Sequence, residues 1–146
     1  ETGNIIDSLV SSIEYLKKRT PRKVEYKLNF DTERPILLPF NAALFSWVIE
    51  NLCKNAIDAM EGNGIIEITV KEEAKNLLID ISDTGKGIAA SEQKSIFNPG
   101  YTSKKRGWGL GLSLAKRIIS EYHRGKIFVK NSTLQKGSVF RIILRK

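Results

Sequence analysis

The sequence predicts an α/β sandwich in which a mixed sheet lies under helices. Three observations carry it. Residues 41–60 and 109–122 have apolar positions at helical spacing. Residues 23–30, 65–71, 77–82, 126–130 and 138–144 have strand character, and several are joined by short hairpin-like turns. Strands interleaved with helices in one chain of 146 residues point to a single layered domain, expected to span residues 1–146.

Each element has a local reason. Ile5, Ile6, Leu9, Val10, Ile13 and Leu16 recur at three and four residues, which makes 4–18 a helix, and Thr20-Pro21 ends it. In KVEYKLNF, Val24, Tyr26, Leu28 and Phe30 fall on one side of a strand. A short extended piece at 35–39 sits between two prolines, and Asn41 is placed to cap the helix that runs to Met60. Glu61-Gly62-Asn63-Gly64 is a turn, and another at Ala74–Asn76 separates two strands. Residues 84–108 are rich in Gly, Ser, Lys and Pro, with one short helical piece near Ser91–Ile96. Residues 1–4 read as boundary sequence.

Composition excludes several classes. No apolar run approaches the ~20 residues of a membrane helix, and the N-terminus lacks the basic start and apolar core of a signal peptide. With Cys53 as the one cysteine, an intrachain disulfide framework is impossible, and a reducing, cytoplasmic setting is expected. The net charge of +8 is uneven: residues 1–100 carry 12 Lys/Arg against 15 Asp/Glu, whereas residues 101–146 carry 12 against Glu121 alone. So basic a segment suits a phosphate group, a nucleic acid or plain solvation.

Three local patterns bear on chemistry. In the 41–60 helix, Phe45, Val48, Ile49, Leu52, Ala56, Ala59 and Met60 share one face, and Asn51, Lys54, Asn55 and Asp58 form the opposite stripe. Asparagine is a poor mid-helix residue, but its amide oxygen suits Mg²⁺ and a neighbouring lysine suits phosphate. Asp83-Thr84-Gly85-Lys86-Gly87-Ile88 follows directly on a strand. Its glycines allow close backbone approach, and its carboxylate can accept from an exocyclic amine such as that of adenine. Gly107-Trp108-Gly109-Leu110-Gly111-Leu112 opens a helix after the basic residues Lys104, Lys105 and Arg106, an arrangement suited to anions. It is neither a Rossmann fingerprint nor a P-loop.

Together and in this order, the patterns resemble the ATP-binding catalytic domain of sensor histidine kinases, in the superfamily that includes gyrase, Hsp90 and MutL. Asn51-Leu52-Cys53-Lys54-Asn55-Ala56 resembles the N box, Asp83–Gly87 the first glycine box, and Phe97-Asn98-Pro99-Gly100-Tyr101-Thr102-Ser103-Lys104 the F box and start of the lid. Gly107–Leu112 resembles the second glycine box and Lys136–Phe140 the last. The resemblance implies a two-layer α/β (α+β) sandwich. Its sheet would be mixed and mostly antiparallel, packed against about three helices, with a flexible ATP lid at about 98–108.

The resemblance also implies roles. Asn55 would ligate Mg²⁺, Asn51 would support phosphates and metal waters, and Lys54 and Lys104 would contact phosphate. Asp83 would accept from the adenine amine, with Gly85, Gly87 and Ile88 as the wall. Thr102, Gly107, Gly109, Leu110, Gly111 and Leu112 would enclose the phosphates, and Ser138 would reach the adenine edge through water. Three positions depart from the family pattern: Trp108 and Gly100 in the lid, and Asp58 where a lysine is usual.

The implied reaction is transfer of the γ-phosphoryl group of Mg·ATP to a histidine on a separate dimerisation domain, then to an aspartate on a response regulator. Superfamily ATPases carry a glutamate as general base where this chain has Asn51, which cannot take a proton, and Glu50 points about 100° away. The sole histidine, His123, ends the 109–122 helix, where it favours the helix dipole rather than phosphate acceptance. The chain is therefore expected to be the ATP-binding part of a longer kinase, anchored in the membrane or not, with no membrane or nucleic-acid contact of its own. The rival reading is a non-catalytic nucleotide-binding module whose basic face binds nucleic acid.

Overall fold

The computed structural model describes residues 1–100 and 111–146. Strand β1 (Thr2–Asn4) leads into α1 (Ile5–Lys17), followed by β2 (Val24–Asn29), β3 (Leu37–Pro39), α2 (Ala42–Ala59), β4 (Gly64–Glu72) and β5 (Asn76–Asp83). Further along the chain come α3 (Gly111–Arg117), β6 (Lys126–Thr133) and β7 (Gly137–Arg145). Asn4 caps α1 by accepting from the Ile6 N–H at 3.1 Å, and Asn41 caps α2 by accepting from the Leu44 N–H at 3.0 Å.

The five-stranded sheet has the order β2-β4-β5-β7-β6. Only β2 and β4 pair in parallel, and α2 lies in the connection between them; every other pair in this sheet is antiparallel. A second pairing joins β1 to β3, with Gly3 opposite Leu38, so the first residues after Glu1 are tied into the fold.

The core fills the space between one sheet face and the helices. Ile66 and Ile68 of β4, Leu77, Ile79 and Ile81 of β5, and Ile142 and Leu144 of β7 alternate inward. They meet Ile5, Leu9 and Ile13 of α1, Phe45, Val48, Ile49 and Leu52 of α2, and Ala115 of α3. The expected two-layer mixed sandwich is thus the observed architecture. On the outer face Asp80 holds Arg141 through two bonds, Nε at 2.8 Å and the terminal nitrogen at 2.9 Å, with Lys130 at 3.6 Å. Burial raises the Asp80 carboxyl, but the hydrogen bonds and charges of Arg141 and Lys130 outweigh it and leave the group below its ordinary value.

Three elements differ from expectation. The helical piece near Ser91–Ile96 is two 3₁₀ turns, Ala90–Glu92 and Ser95–Phe97, because Pro99 and the buried pair Ile96 and Phe97 leave no length for an α-helix. The helix that begins at α3 widens into a π-turn at Ile118–Tyr122. Strand β6 runs three residues past 130, because an irregularity between Val129 and Asn131 shifts the register and lets the polar run continue to pair.

Candidate functional site

The first wall of the site is the outward stripe of α2. Packing of Phe45, Val48, Ile49, Leu52 and Ala56 into the core turns Asn51, Lys54, Asn55 and Asp58 the other way: Asn51 and Asn55 are half-buried, Lys54 and Asp58 exposed. Asn51 faces the start of α3. A Cβ at Gly111 would stand 2.8 Å from its Oδ1, so glycine is what allows this approach. The Asn51 Nδ2 is buried and has no hydrogen-bond partner among the described residues. Such an orphan is rare and costly in a folded protein. Cys53, one turn inward, is fully buried; desolvation, helped by the Glu50 charge, pushes its thiol up to about 12.

The second wall is the loop after β5. Asp83 is the last residue of that strand and only 6% exposed. Its Oδ1 accepts from the Gly85 N–H at 2.9 Å, and its carboxyl also receives the Ser138 N–H from the paired strand. Burial dominates these two bonds and raises the carboxyl above its ordinary value. Gly85 sits on the end of α2, where a Cβ would meet the Ala59 carbonyl at 2.7 Å, and the Lys86 N–H donates to that carbonyl at 3.0 Å. Gly87 has φ +78°, and a Cβ there would run into the Thr133 backbone.

The turn between β6 and β7 is bonded to the same loop. The Gln135 N–H donates to the Lys86 carbonyl at 2.7 Å, and the Ile88 N–H donates to the Ser132 Oγ at 2.7 Å. The Ser132 and Ser138 hydroxyls are 2.8 Å apart, with Ser138 buried. Thr84 fastens the other side, accepting from the Ile65 N–H at 3.1 Å and donating to the Met60 sulfur at 3.4 Å.

The structure therefore gathers Asp83, Gly85, Gly87, Ile88 and Ser138 around one hairpin, and sets Asn51 against Gly111. Leu112 packs on the core beside them. Thr102, Lys104, Gly107, Gly109, Leu110 and Trp108 lie outside the described residues. The F-box residue Phe97 is buried edge-on to Phe140, with ring centroids 6.1 Å apart, and Lys116 stands 5.9 Å over its ring. Gly100, an unusual residue at its position, has φ +86°, a conformation that favours glycine. Sequence reasoning missed Ser132, which lies beyond the β6 irregularity in a polar run; the hydroxyl two residues before the turn was its only signal.

His123 is fully engaged. Its Nε2 accepts from the Asn41 N–H at 3.0 Å and its Nδ1 faces the Ile118 carbonyl at 2.9 Å, which places the proton on Nδ1. The imidazole satisfies a helix-end carbonyl and links α3 to the cap of α2.

The residues suit a metal that arrives with phosphates rather than a resident one. Among the described residues no group of three or more His, Cys, Asp or Glu is placed to hold a metal. The amide oxygens of Asn51 and Asn55 on α2, with Asn51 close against Gly111, are the neutral donors on this helix, and Mg²⁺ commonly takes one or two protein ligands plus substrate phosphates.

The layered sandwich thus sets an acid-and-glycine loop beside an asparagine-bearing helix. Residues 41–146 match the family of histidine kinase-, DNA gyrase B- and HSP90-like ATPases, and the chain belongs to that family. It is similar to the sensor histidine kinase ZraS of Escherichia coli strain K12, 41% identical over 97 residues, covering 66% of this chain and 20% of that protein. The Salmonella typhimurium ZraS is 34% identical over 146 residues, covering 99% of this chain and 31% of that one. The catalytic domain of histidine kinase ThkA superposes with a TM-score of 0.88 at 26% identity, covering 100% of this chain and 95% of that domain. The chain thus spans between a fifth and a third of the length of these two curated relatives. No described helix is long and apolar enough to cross a membrane.

Proposed function

We propose that residues 1–146 form one domain that binds Mg·ATP between α2, the 83–88 loop and the start of α3, and donates the γ-phosphoryl group to a histidine on a separate dimerisation domain. The phosphoryl group then passes to an aspartate of a response regulator. The observation that carries the reading is Asp83: a buried carboxylate, raised by desolvation, at the end of β5 where the Gly85–Gly87 loop docks onto α2 and the end of β6. A desolvated carboxylate with two backbone donors and, among the described residues, no cation beside it suits an exocyclic amine arriving from outside. Sensor histidine kinases among the relatives support the acceptor chemistry, and ThkA, at 25% identity and a TM-score of 0.84, has been solved in complex with the response regulator TrrA.

In this reading Asn55 offers its amide oxygen to Mg²⁺, and Asn51 and Lys54 stand beside the phosphates. Gly111 and Leu112, with Thr102, Lys104, Gly107, Gly109 and Leu110, enclose them. The metal supplies charge neutralisation on the phosphates, and the chain supplies position. Asn51 cannot deprotonate a water, so the nucleophile is brought by the acceptor domain. His123 is not that acceptor: both ring nitrogens are used, and it stands roughly 18 Å along the helix from Gly111 at ~1.5 Å per residue.

Calorimetry of ATP with and without Mg²⁺, on the wild type and Asn55→Ala, tests the binding half. Asn55→Ala should lose the Mg²⁺-dependent part of the affinity, and equal affinities in Mg²⁺ would remove Asn55 from the metal. Incubation with γ-labelled ATP tests the transfer half. The chain alone should stay unlabelled and should label an added histidine-bearing helical bundle. Label on the isolated chain that vanishes in His123→Ala would refute the assignment.

A further inference from the structure

We propose that His123 is a positioning residue for the phosphate end of the site: by accepting the Asn41 N–H it fixes where α3 lies along α2, and so sets the approach of Gly111 to Asn51. The inference rests on the reading that phosphates sit between α2 and the start of α3.

Two contacts define how these helices lie. Both α3 and the π-turn that continues it pack on α2. At one end Gly111 meets Asn51, so closely that a Cβ would stand 2.8 Å from its Oδ1. At the other end His123 meets Asn41. Asn41 caps the start of α2 and Asn51 lies in its middle, so the two helices run antiparallel. The contacts are about 15 Å apart along α2 at ~1.5 Å per residue. Between them Ala115, Ile118 and Ile119 are buried, but apolar packing is non-directional and tolerates a slide. A hydrogen bond to a fixed backbone N–H does not.

The chain uses unusual backbone to make this bond. The π-turn at Ile118–Tyr122 adds a residue to the last turn, and an added residue rotates those after it by about 100°. An unbroken α-helix would carry the imidazole away from Asn41. The next residue, Arg124, has φ +51°, a left-handed conformation uncommon for a long side chain. Gly125 then turns onto β7, where a Cβ would run into the Ile143 carbonyl, and its N–H donates to the Ile119 carbonyl at 2.8 Å. Widened and left-handed backbone of this kind clusters at functional sites.

The two ring nitrogens do different jobs. The Asn41 N–H can only donate, so Nε2, at 3.0 Å, is its acceptor, and Nδ1 gives its proton to the Ile118 carbonyl at 2.9 Å. The Nδ1 bond closes the helix on itself. The Nε2 bond ties the helix to α2, and it is the one whose loss would be felt at Gly111.

Amide side chains separate the two bonds. His123→Asn puts an amide nitrogen near the place of Nδ1 and falls short of Asn41. His123→Gln puts an amide oxygen near the place of Nε2, where it can accept the Asn41 N–H. The measurements are Mg·ATP affinity by calorimetry and thermal unfolding without nucleotide. His123→Ala should weaken Mg·ATP by about three- to tenfold, the scale of one hydrogen bond. His123→Gln should recover most of that affinity and His123→Asn little of it, whatever the order of their melting temperatures. If His123→Ala does not fold, the comparison of His123→Gln with His123→Asn decides. A His123→Gln protein that binds no better than His123→Asn would show a helix cap only and overturn the proposal. So would a folded His123→Ala protein with wild-type affinity. A wild type that does not bind Mg·ATP would instead remove the underlying reading of the phosphate end.

Discussion

The two ends of the candidate site are built in opposite ways. At the Asp83 end nearly every polar group has a partner within the chain. The carboxyl holds two backbone N–H groups, Ile88 is tied to Ser132, and Gly85 and Gly87 press against backbone that leaves no room for a side chain. At the Asn51 end a buried amide nitrogen has no partner among the described residues and lies close against Gly111. One end is preorganised to read a shape; the other stores unsatisfied polarity that a ligand would relieve. Preorganisation favours specificity and unsatisfied groups favour affinity for whatever satisfies them.

The sharpest way to break the preorganised end is a single methyl group. Gly85→Ala places a carbon against the Ala59 carbonyl and must separate the loop from α2. It should cost about 1–3 kcal/mol of unfolding free energy and abolish measurable ATP binding. Urea unfolding and calorimetry check the two together.

Asp83→Asn comes next. ATP affinity should fall tenfold to a hundredfold, about 1.4–3 kcal/mol, the scale of a lost charge-assisted bond. Stability should move the other way. The Asp83 carboxyl is raised in the folded state, so its contribution is most favourable below the ordinary carboxylate range and is lost as pH rises through the folded value. The variant should flatten that slope, which unfolding curves at several pH values between about 4 and 8 would show.

Much of this contrast was legible in the sequence, and what was missed has a local cause. The Asn51–Asp58 stripe follows from the 3.6-residue period of α2, and Asp83 follows from its place at the end of an apolar strand. The burial of Asp83 was not legible, because it depends on Gly85 docking onto Ala59, a contact between segments 26 residues apart. Ser132 was hidden by the irregularity between Val129 and Asn131 and is bonded to a residue 44 positions away. The dual engagement of His123 needs the π-turn, which no amphipathic pattern announces. Residues bonded along one element were readable; residues bonded between elements were not.

Smaller effects belong to the other end and to the outer face. Asn51→Ala removes the buried nitrogen that has no partner among the described residues and replaces a poor helix former, so the ligand-free protein should be as stable or up to about 1 kcal/mol more stable. It should bind Mg·ATP more weakly and gain no hydrolysis, read by phosphate release. Asp80→Asn breaks the bidentate pair with Arg141 on the sheet face away from the site. It should cost roughly 0.5–1 kcal/mol near neutral pH and leave ATP affinity unchanged. Because the Asp80 carboxyl is lowered in the folded state, that difference is present above the ordinary carboxylate value and fades as acid takes the folded group through its titration.

The contrast between the two ends is tested most directly by urea unfolding of the wild type and Asp83→Asn, each without nucleotide and with saturating Mg·ATP. Without nucleotide the variant should be at least as stable as the wild type, because burying a raised carboxylate costs free energy that an amide does not. With Mg·ATP at about a hundred times the wild-type dissociation constant, the wild type should gain about 2.7 kcal/mol by mass action and the variant much less, so the order reverses. A variant that is less stable than the wild type without nucleotide, or equally stabilised by it, would contradict the account.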